Sequence, residues 1–159
     1  MSALIICIGN PLVAADAAGP LVYDLLAGGT LPPAVTLVDG GLAGLRLLPL
    51  FEGCDQVIIV DAVAGFSADP GVIVLPAAAL PSEPVHYGHQ DGLAYLLQAV
   101  PHVLAPPLPE LTVFFPFYNE EGNIVETVEQ SLTKLKPYVD DLEMILVSAV
   151  DFPRHWKTL

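Results

Sequence analysis

Five consecutive apolar residues, Leu4–Ile8, stop abruptly at Gly9-Asn10-Pro11. Glycine and proline are both poor choices inside a ladder, so the run is confined to one short strand. A strand apolar at every position needs cover on both faces, which a parallel sheet flanked by helices provides. The loop that follows is dominated by alanine and carries one acid, Asp16, before Gly19-Pro20 opens a helix. A carboxylate just past a buried strand, in a loop without bulk, is placed to meet a ligand at the edge of a sheet.

The same phrase recurs twice. Val35–Val38 ends in Asp39-Gly40-Gly41, and Val57–Val60 ends in Asp61. Between the runs, apolar residues fall at helical spacing: Leu21, Val22, Leu25 and Leu26 up to Gly28-Gly29, then Leu45, Leu47, Leu48 and Phe51 up to Gly53. Strands alternating with short helices predict an α/β fold with a mostly parallel sheet. Farther along, the pattern predicts a strand at Gly71–Leu75 and a helix from about His89 to Val100, with Leu93, Leu96, Leu97 and Val100 on one face. A proline-dense connector (101–109) leads to a strand at Leu111–Phe115. A helix over roughly Ile124–Lys136 and a last strand at Leu142–Val147 complete the expected order. A length of 159 residues suits one domain, 1–159, with a real hydrophobic core.

Charge narrows the partners. The formal net charge is −13, and Arg46 is the only Lys or Arg before Lys134, so phosphate backbones and anionic membranes are repelled. A cationic segment, a metal ion or a basic protein fits better. Gly, Pro and Asp interrupt every apolar run short of the roughly 18 residues a membrane span needs. No basic residue precedes the first run, so it reads as a strand, not a signal peptide. Cys7 and Cys54 lie in or beside apolar runs, which points to buried free thiols of a cytoplasmic protein.

Three strands thus lead to acids: the first to Asp16, the second to Asp39, the third to Asp61. In a parallel sheet their carboxyl ends share one edge, and the loop before His89 returns there as well. Two carboxylates and one imidazole suit a divalent metal such as Ni²⁺ or Zn²⁺. Singly, each has a plainer reading. An acid after a strand is most often a turn or helix cap, and a histidine at a helix start is usually a polar cap. The Gly-x-Gly-x-x-Gly dinucleotide fingerprint is absent at Gly9. No Ser or Cys near these residues has an obvious base, which disfavours a nucleophilic protease.

Taken in order, the motifs Ile8-Gly9-Asn10-Pro11-Leu12 with Asp16 and Gly19-Pro20, Asp39-Gly40-Gly41 with Ala43-Gly44 and Leu47-Leu48, Val57–Val63 through Asp61, and His89-Gln90 with Gly92-Leu93 resemble the [NiFe]-hydrogenase maturation endopeptidases. The likeness covers about residues 4–113. It implies a three-layer α/β sandwich with a mostly parallel central sheet, of the phosphorylase/hydrolase-like kind seen in hydrogenase maturation proteases. It also implies removal of a C-terminal peptide from the nickel-loaded large-subunit precursor of a [NiFe]-hydrogenase. The family's metal-contacting and catalytic groups then fall on Asp16, Asp61 and His89, with nickel supplied by the substrate and another divalent metal as the alternative. Asp39, Gly40 and Gly41 would line the substrate cleft. The family usually has a second acid where Ala15 stands, and a threonine where Leu42 stands.

Residues 111–159 read as an atypical C-terminal segment, of the kind a recombined gene would produce. Leu111–Ile124, continuing to Val147, resembles the opening of a glycosyltransferase of the polyprenol-phosphate sugar synthase type. The chain lacks the downstream Asp-x-Asp motif such a transferase needs, so transferase activity is not expected. The functional alternatives are therefore the endopeptidase and a catalytically inert metal- or protein-binding homologue, with a nucleotide-sugar-binding fragment as a weaker third.

Overall fold

A computed structural model describes residues 2–13, 16–62, 71–76, 91–117 and 133. The elements run β1 (Ala3–Ile8), α1 (Ala18–Ala27), β2 (Val35–Gly41), a 3₁₀ helix (Gly44–Phe51), β3 (Gln56–Val60), β4 (Gly71–Pro76), α2 (Asp91–Val103) and β5 (Glu110–Phe117). The five strands form one sheet in the order β2-β1-β3-β5-β4. β1 pairs in parallel with β2 and β3, and β3 pairs in parallel with β5. Only the edge strand β4 runs antiparallel, against β5. The mostly parallel α/β fold expected from the apolar runs is present.

Strand alternation explains how one run feeds two cores. Ile5 and Cys7 of β1 pack with Ile58 and Val60 of β3 against Val22 and Leu26 of α1. Leu4 and Ile6 face the other way, with Val57 and Ile59, toward Leu47, Leu48 and Phe51 of the 3₁₀ helix and Leu93, Leu96 and Val100 of α2. The sheet is thereby covered on both sides, the requirement that its all-apolar strands impose.

Two elements differ from the sequence expectation. The stretch with Leu45, Leu47, Leu48 and Phe51 is a 3₁₀ helix, eight residues long, with Pro49 inside it. Proline removes one amide donor and disturbs the α-helical ladder, and the tighter turn still turns Leu47, Leu48 and Phe51 to the core. Helix α2 continues past Pro101 to Val103, instead of ending at the proline connector. Leu104 N–H still donates to the Val100 carbonyl at 3.0 Å, so helical bonding resumes beyond the missing donor. The helix expected over 124–136 and the strand at Leu142–Val147 lie outside the described residues.

Residues 111–117 form β5, inside the sheet beside β3. No described helix is long and apolar enough to cross a membrane. Cys7 is buried, Cys54 is half-buried, and both thiols are free.

Candidate active site

Strand order creates the site. β1 has β2 on one side and β3 on the other, so the chain's crossovers leave in opposite directions from its carboxyl end. A crevice opens at such a switch point, and ligands of open α/β sheets bind there. The loop after β1 brings Asp16 to this crevice, and the end of β3 brings Asp61.

The Asp16 loop is fixed by its own polar groups. Asn10 N–H donates to Asp16 Oδ2 at 2.9 Å, and Leu12 N–H donates to Asn10 Oδ1 at 3.0 Å. Val13 N–H reaches the Asn10 carbonyl at 3.1 Å, and Asp16 N–H the Val13 carbonyl at 2.8 Å. Gly9 makes this path possible. Its φ of +141° is one that side-chain-bearing residues rarely adopt, and a Cβ there would run into the Asp16 carbonyl. Gly19 lets α1 lie directly on β1, because a Cβ at that position would collide with the Ile8 carbonyl oxygen. Pro20, in the first turn of α1, gives up an amide that has no intrahelical partner.

Asp16 and Asp61 line one cavity of about 130 Å³, together with Ile8, Gly9, Leu42, Gly44, Gly92, Leu93 and Leu96. Asp61 is 4% exposed. Burial, and next the charge of Asp16, push its carboxyl up to about 7, against a smaller opposing effect from the Ala62 N–H it accepts. A carboxylate so placed exchanges its proton near neutrality or yields it to a cation. Among the described residues, no Lys, Arg or His lines the cavity.

The other expected site residues divide. Asp39 lies in β2 beside Cys7, and its Oδ1 accepts the N–H of Gly41 at 3.1 Å. Burial first, and then the charge of Asp39, raises the proton affinity of both Cys7 and Asp24 on α1. Asp39, Gly40 and Gly41 are not among the cavity-lining residues, whereas Leu42 and Gly44, just beyond them, are. His89 lies outside the described residues, two positions before α2 begins. Among the described residues, no group of three or more His, Cys, Asp or Glu side chains could hold a metal ion.

The sequence placed Leu93 and Leu96 on a helix face and Gly44 and Gly92 in motifs, but gave none of the four a place at the site, whose wall they largely form. The signal was present in Ala43-Gly44 and Gly92-Leu93. Gly92 lies against the start of the 3₁₀ helix, where a Cβ would stand 3.8 Å from Gly44 Cα, an ordinary contact distance.

Comparison with known proteins agrees with this architecture. The chain is 32% identical over 105 residues to the hydrogenase 2 maturation protease of Escherichia coli K12, covering 63% of each. It is 40% identical over 72 residues to the hydrogenase expression/formation protein HupD of Rhodobacter capsulatus, covering 45% of this chain and 34% of that one. The chain thus spans less than two thirds of either curated relative. The solved structure of the hydrogenase maturating endopeptidase HybD from E. coli superposes with a TM-score of 0.67 at 28% identity, over 87% of this chain and 94% of that one. The family model described as hydrogenase maturation protease matches residues 21–139, a stretch that holds β2 to β5 and Asp61 and runs on through most of the atypical C-terminal segment. With more than half of its length matched to that model, the chain belongs to the hydrogenase maturation protease family.

Proposed function

We propose that the protein is an endopeptidase that removes a C-terminal peptide from the nickel-loaded large-subunit precursor of a [NiFe]-hydrogenase. The observation that carries this reading is the pairing of Asp16 and Asp61 in one cavity at the carboxyl edge of the sheet, in a chain of the hydrogenase maturation protease family. Nickel arrives as part of the substrate. In this reading Asp16, Asp61 and His89 contact it, and the Asp39-Gly40-Gly41 turn borders the cleft beside them. A divalent cation polarises a nearby carbonyl or activates a bound water, which suits metal-guided hydrolysis over nucleophile chemistry. The high proton affinity of Asp61 supports the assignment, since the site holds a carboxylate that gains from a positive partner. The cytoplasm as the site of action is part of the same proposal, supported by two free thiols.

The test is to incubate the protein with nickel-loaded precursor and follow the precursor by mass spectrometry. The expected result is loss of a C-terminal peptide, abolished by Asp16→Ala or His89→Ala while far-UV circular dichroism stays unchanged. Full cleavage by either variant would sink the three-ligand site. No cleavage by the parent protein, with nickel binding intact, would leave the inert metal- or protein-binding homologue, a reading motivated by Ala15.

The glycosyltransferase likeness of residues 111–147 bears on origin, not on activity. We take it as a segment of matching strand-helix pattern that serves the same sheet, and β5 beside β3 is consistent with that. Resequencing the source gene tests whether a recombination produced it.

A further inference from the structure

Arg46 is the only Lys or Arg before Lys134 in a chain with 18 acids, yet among the described residues it forms no ion pair. It stands exposed on the 3₁₀ helix Gly44–Phe51. Such a helix turns three residues per turn, so residues three apart share a row. Leu47, Leu48 and Phe51 occupy the two rows that are buried in the core. The third row holds Arg46 and Pro49, and Glu52 extends it by one more turn. Arg46 N–H donates to the Ala43 carbonyl at 3.1 Å, and Glu52 N–H to the Pro49 carbonyl at 3.4 Å. Arg46, Pro49 and Glu52 are all exposed. In the two adjoining rows, Leu45 (53% exposed) and Leu50 (43% exposed) are left uncovered as well. None of these five residues lines the cavity of Asp16 and Asp61.

We infer that the row Arg46, Pro49, Glu52 is the centre of a contact between two copies of this chain, related by a two-fold axis at Pro49. The row reads cation, neutral ring, anion, with equal spacing on either side of the proline. A two-fold axis there reverses one copy against the other, so Arg46 meets the partner's Glu52 and Glu52 meets the partner's Arg46. Within one copy the two charges are held apart, since six residues at about 2 Å rise separate their backbones by about 12 Å. Leu50, one residue from the axis, lies beside the partner's Leu50, and both lose water that neither loses alone. A different partner would have to supply an anion and a cation at this same spacing with apolar surface between them. A second copy supplies all three by construction. An anionic membrane is repelled by Glu52 and by the net charge of −13. That net charge also opposes a second copy, but at long range. At 0.15 M salt the Debye length is about 8 Å, so acids spread over the rest of each surface are largely screened while the paired side chains touch. Eight helical residues a side make a small contact, at the low end of specific interfaces, so the dimer is weak and depends on concentration. The inference is independent of the proposed function.

The test is sedimentation equilibrium of the full chain over a rising concentration series at about 0.15 M sodium chloride, where screening is strong. The parent protein is expected to pass from monomer to dimer. Arg46→Glu places like charges at both ends of the row and is expected to raise the dissociation constant at least tenfold. Arg46→Glu/Glu52→Arg reverses both charges and recreates the complement, so it is expected to return the constant to within threefold of the parent's. Only a contact in which these two residues face each other across a two-fold axis restores itself in this way. Far-UV spectra should match throughout, because both side chains are exposed. If Arg46→Glu departs from the parent spectrum, Glu52→Arg, outside the helix, carries the same expected loss. If the double variant departs, an equal mixture of the two single variants carries the same expected restoration. A parent that stays monomeric at every concentration would overturn the inference. So would a dimer indifferent to Arg46→Glu, or a loss that charge reversal does not repair.

Discussion

Asp61 sits between two opposed demands. It ends an apolar strand and is buried, yet the cavity places Asp16 near it and raises the cost of its charge. The folded carboxyl keeps its proton to about pH 7, whereas the unfolded chain releases it near the ordinary aspartate value of 3.8. Between those values the folded state binds more protons, so raising the pH favours unfolding. Stability is therefore expected to fall from about pH 4 to pH 7 by up to about 4 kcal/mol from this group, and to level off above pH 7. Asp61→Asn keeps an acceptor for the Ala62 N–H and removes the charge. It should raise the melting temperature at pH 8 and flatten that slope, as read by thermal melts across the pH range. A parent protein with no such slope would show that Asp61 is ionised in the fold. Asp16→Ala should act oppositely on two observables. It removes the like charge, lowering the pH at which Asp61 titrates by carbon-13 NMR. It also leaves Asn10 N–H without its acceptor, which costs about 1 kcal/mol.

At the scale of elements, helix α1 is set by contact, not by capping. Its N-cap is Ala17, which makes no side-chain cap bond, and no acid lies in its first turn. Its place comes from Gly19 lying on the Ile8 carbonyl and from Val22 and Leu26 buried against β1 and β3. Gly19→Ala should accordingly destabilise the protein by about 2–4 kcal/mol in urea unfolding, through displacement of the helix from the strand. Pro101 gives a contrasting case. It is exposed near the end of α2 and lacks the N–H that would reach back one turn. Pro101→Ala restores that donor near the helix end, against a smaller loss from the freer unfolded chain, so a gain of about 1 kcal/mol is expected.

For the molecule as a whole, charge is the dominant long-range force. Eighteen acids against five Lys and Arg leave few attractive partners for each carboxylate. Self-repulsion of the compact chain is screened as ionic strength rises, over a Debye length of about 10 Å at 0.1 M salt. The melting temperature at pH 8 should therefore climb between 10 and 200 mM sodium chloride. A flat or falling response would mean that the acids are paired off or dispersed enough to ignore one another. The same imbalance sets partner choice, since the site edge offers negative charge and apolar surface together.

Much of this was legible in the residues. Leu4–Ile8 and Val57–Val60 read as short strands covered on both faces and Val35–Val38 as a third strand, and their order with the helical stretches pointed to a mostly parallel α/β sheet. That all three strands run toward acids was equally plain, because side-chain burial and backbone punctuation are local. Which acids meet was not local. The strand ends alone put Asp16, Asp39 and Asp61 at one edge as equals, and only the family resemblance singled out Asp16 and Asp61. The pleat turned Asp39 beside Cys7 and left Asp16 and Asp61 in the cavity, a choice made by strand order β2-β1-β3 and by the Gly9 turn. The walls of that cavity come from Gly44 and from Gly92, Leu93 and Leu96, residues far along the chain that only packing of α2 on the 3₁₀ helix brings near. Leu42 read as a departure from the threonine that usually follows the Gly-Gly turn. Its place in the wall of an acidic cavity required the sheet to close first, because a surface exists only once the chain has folded.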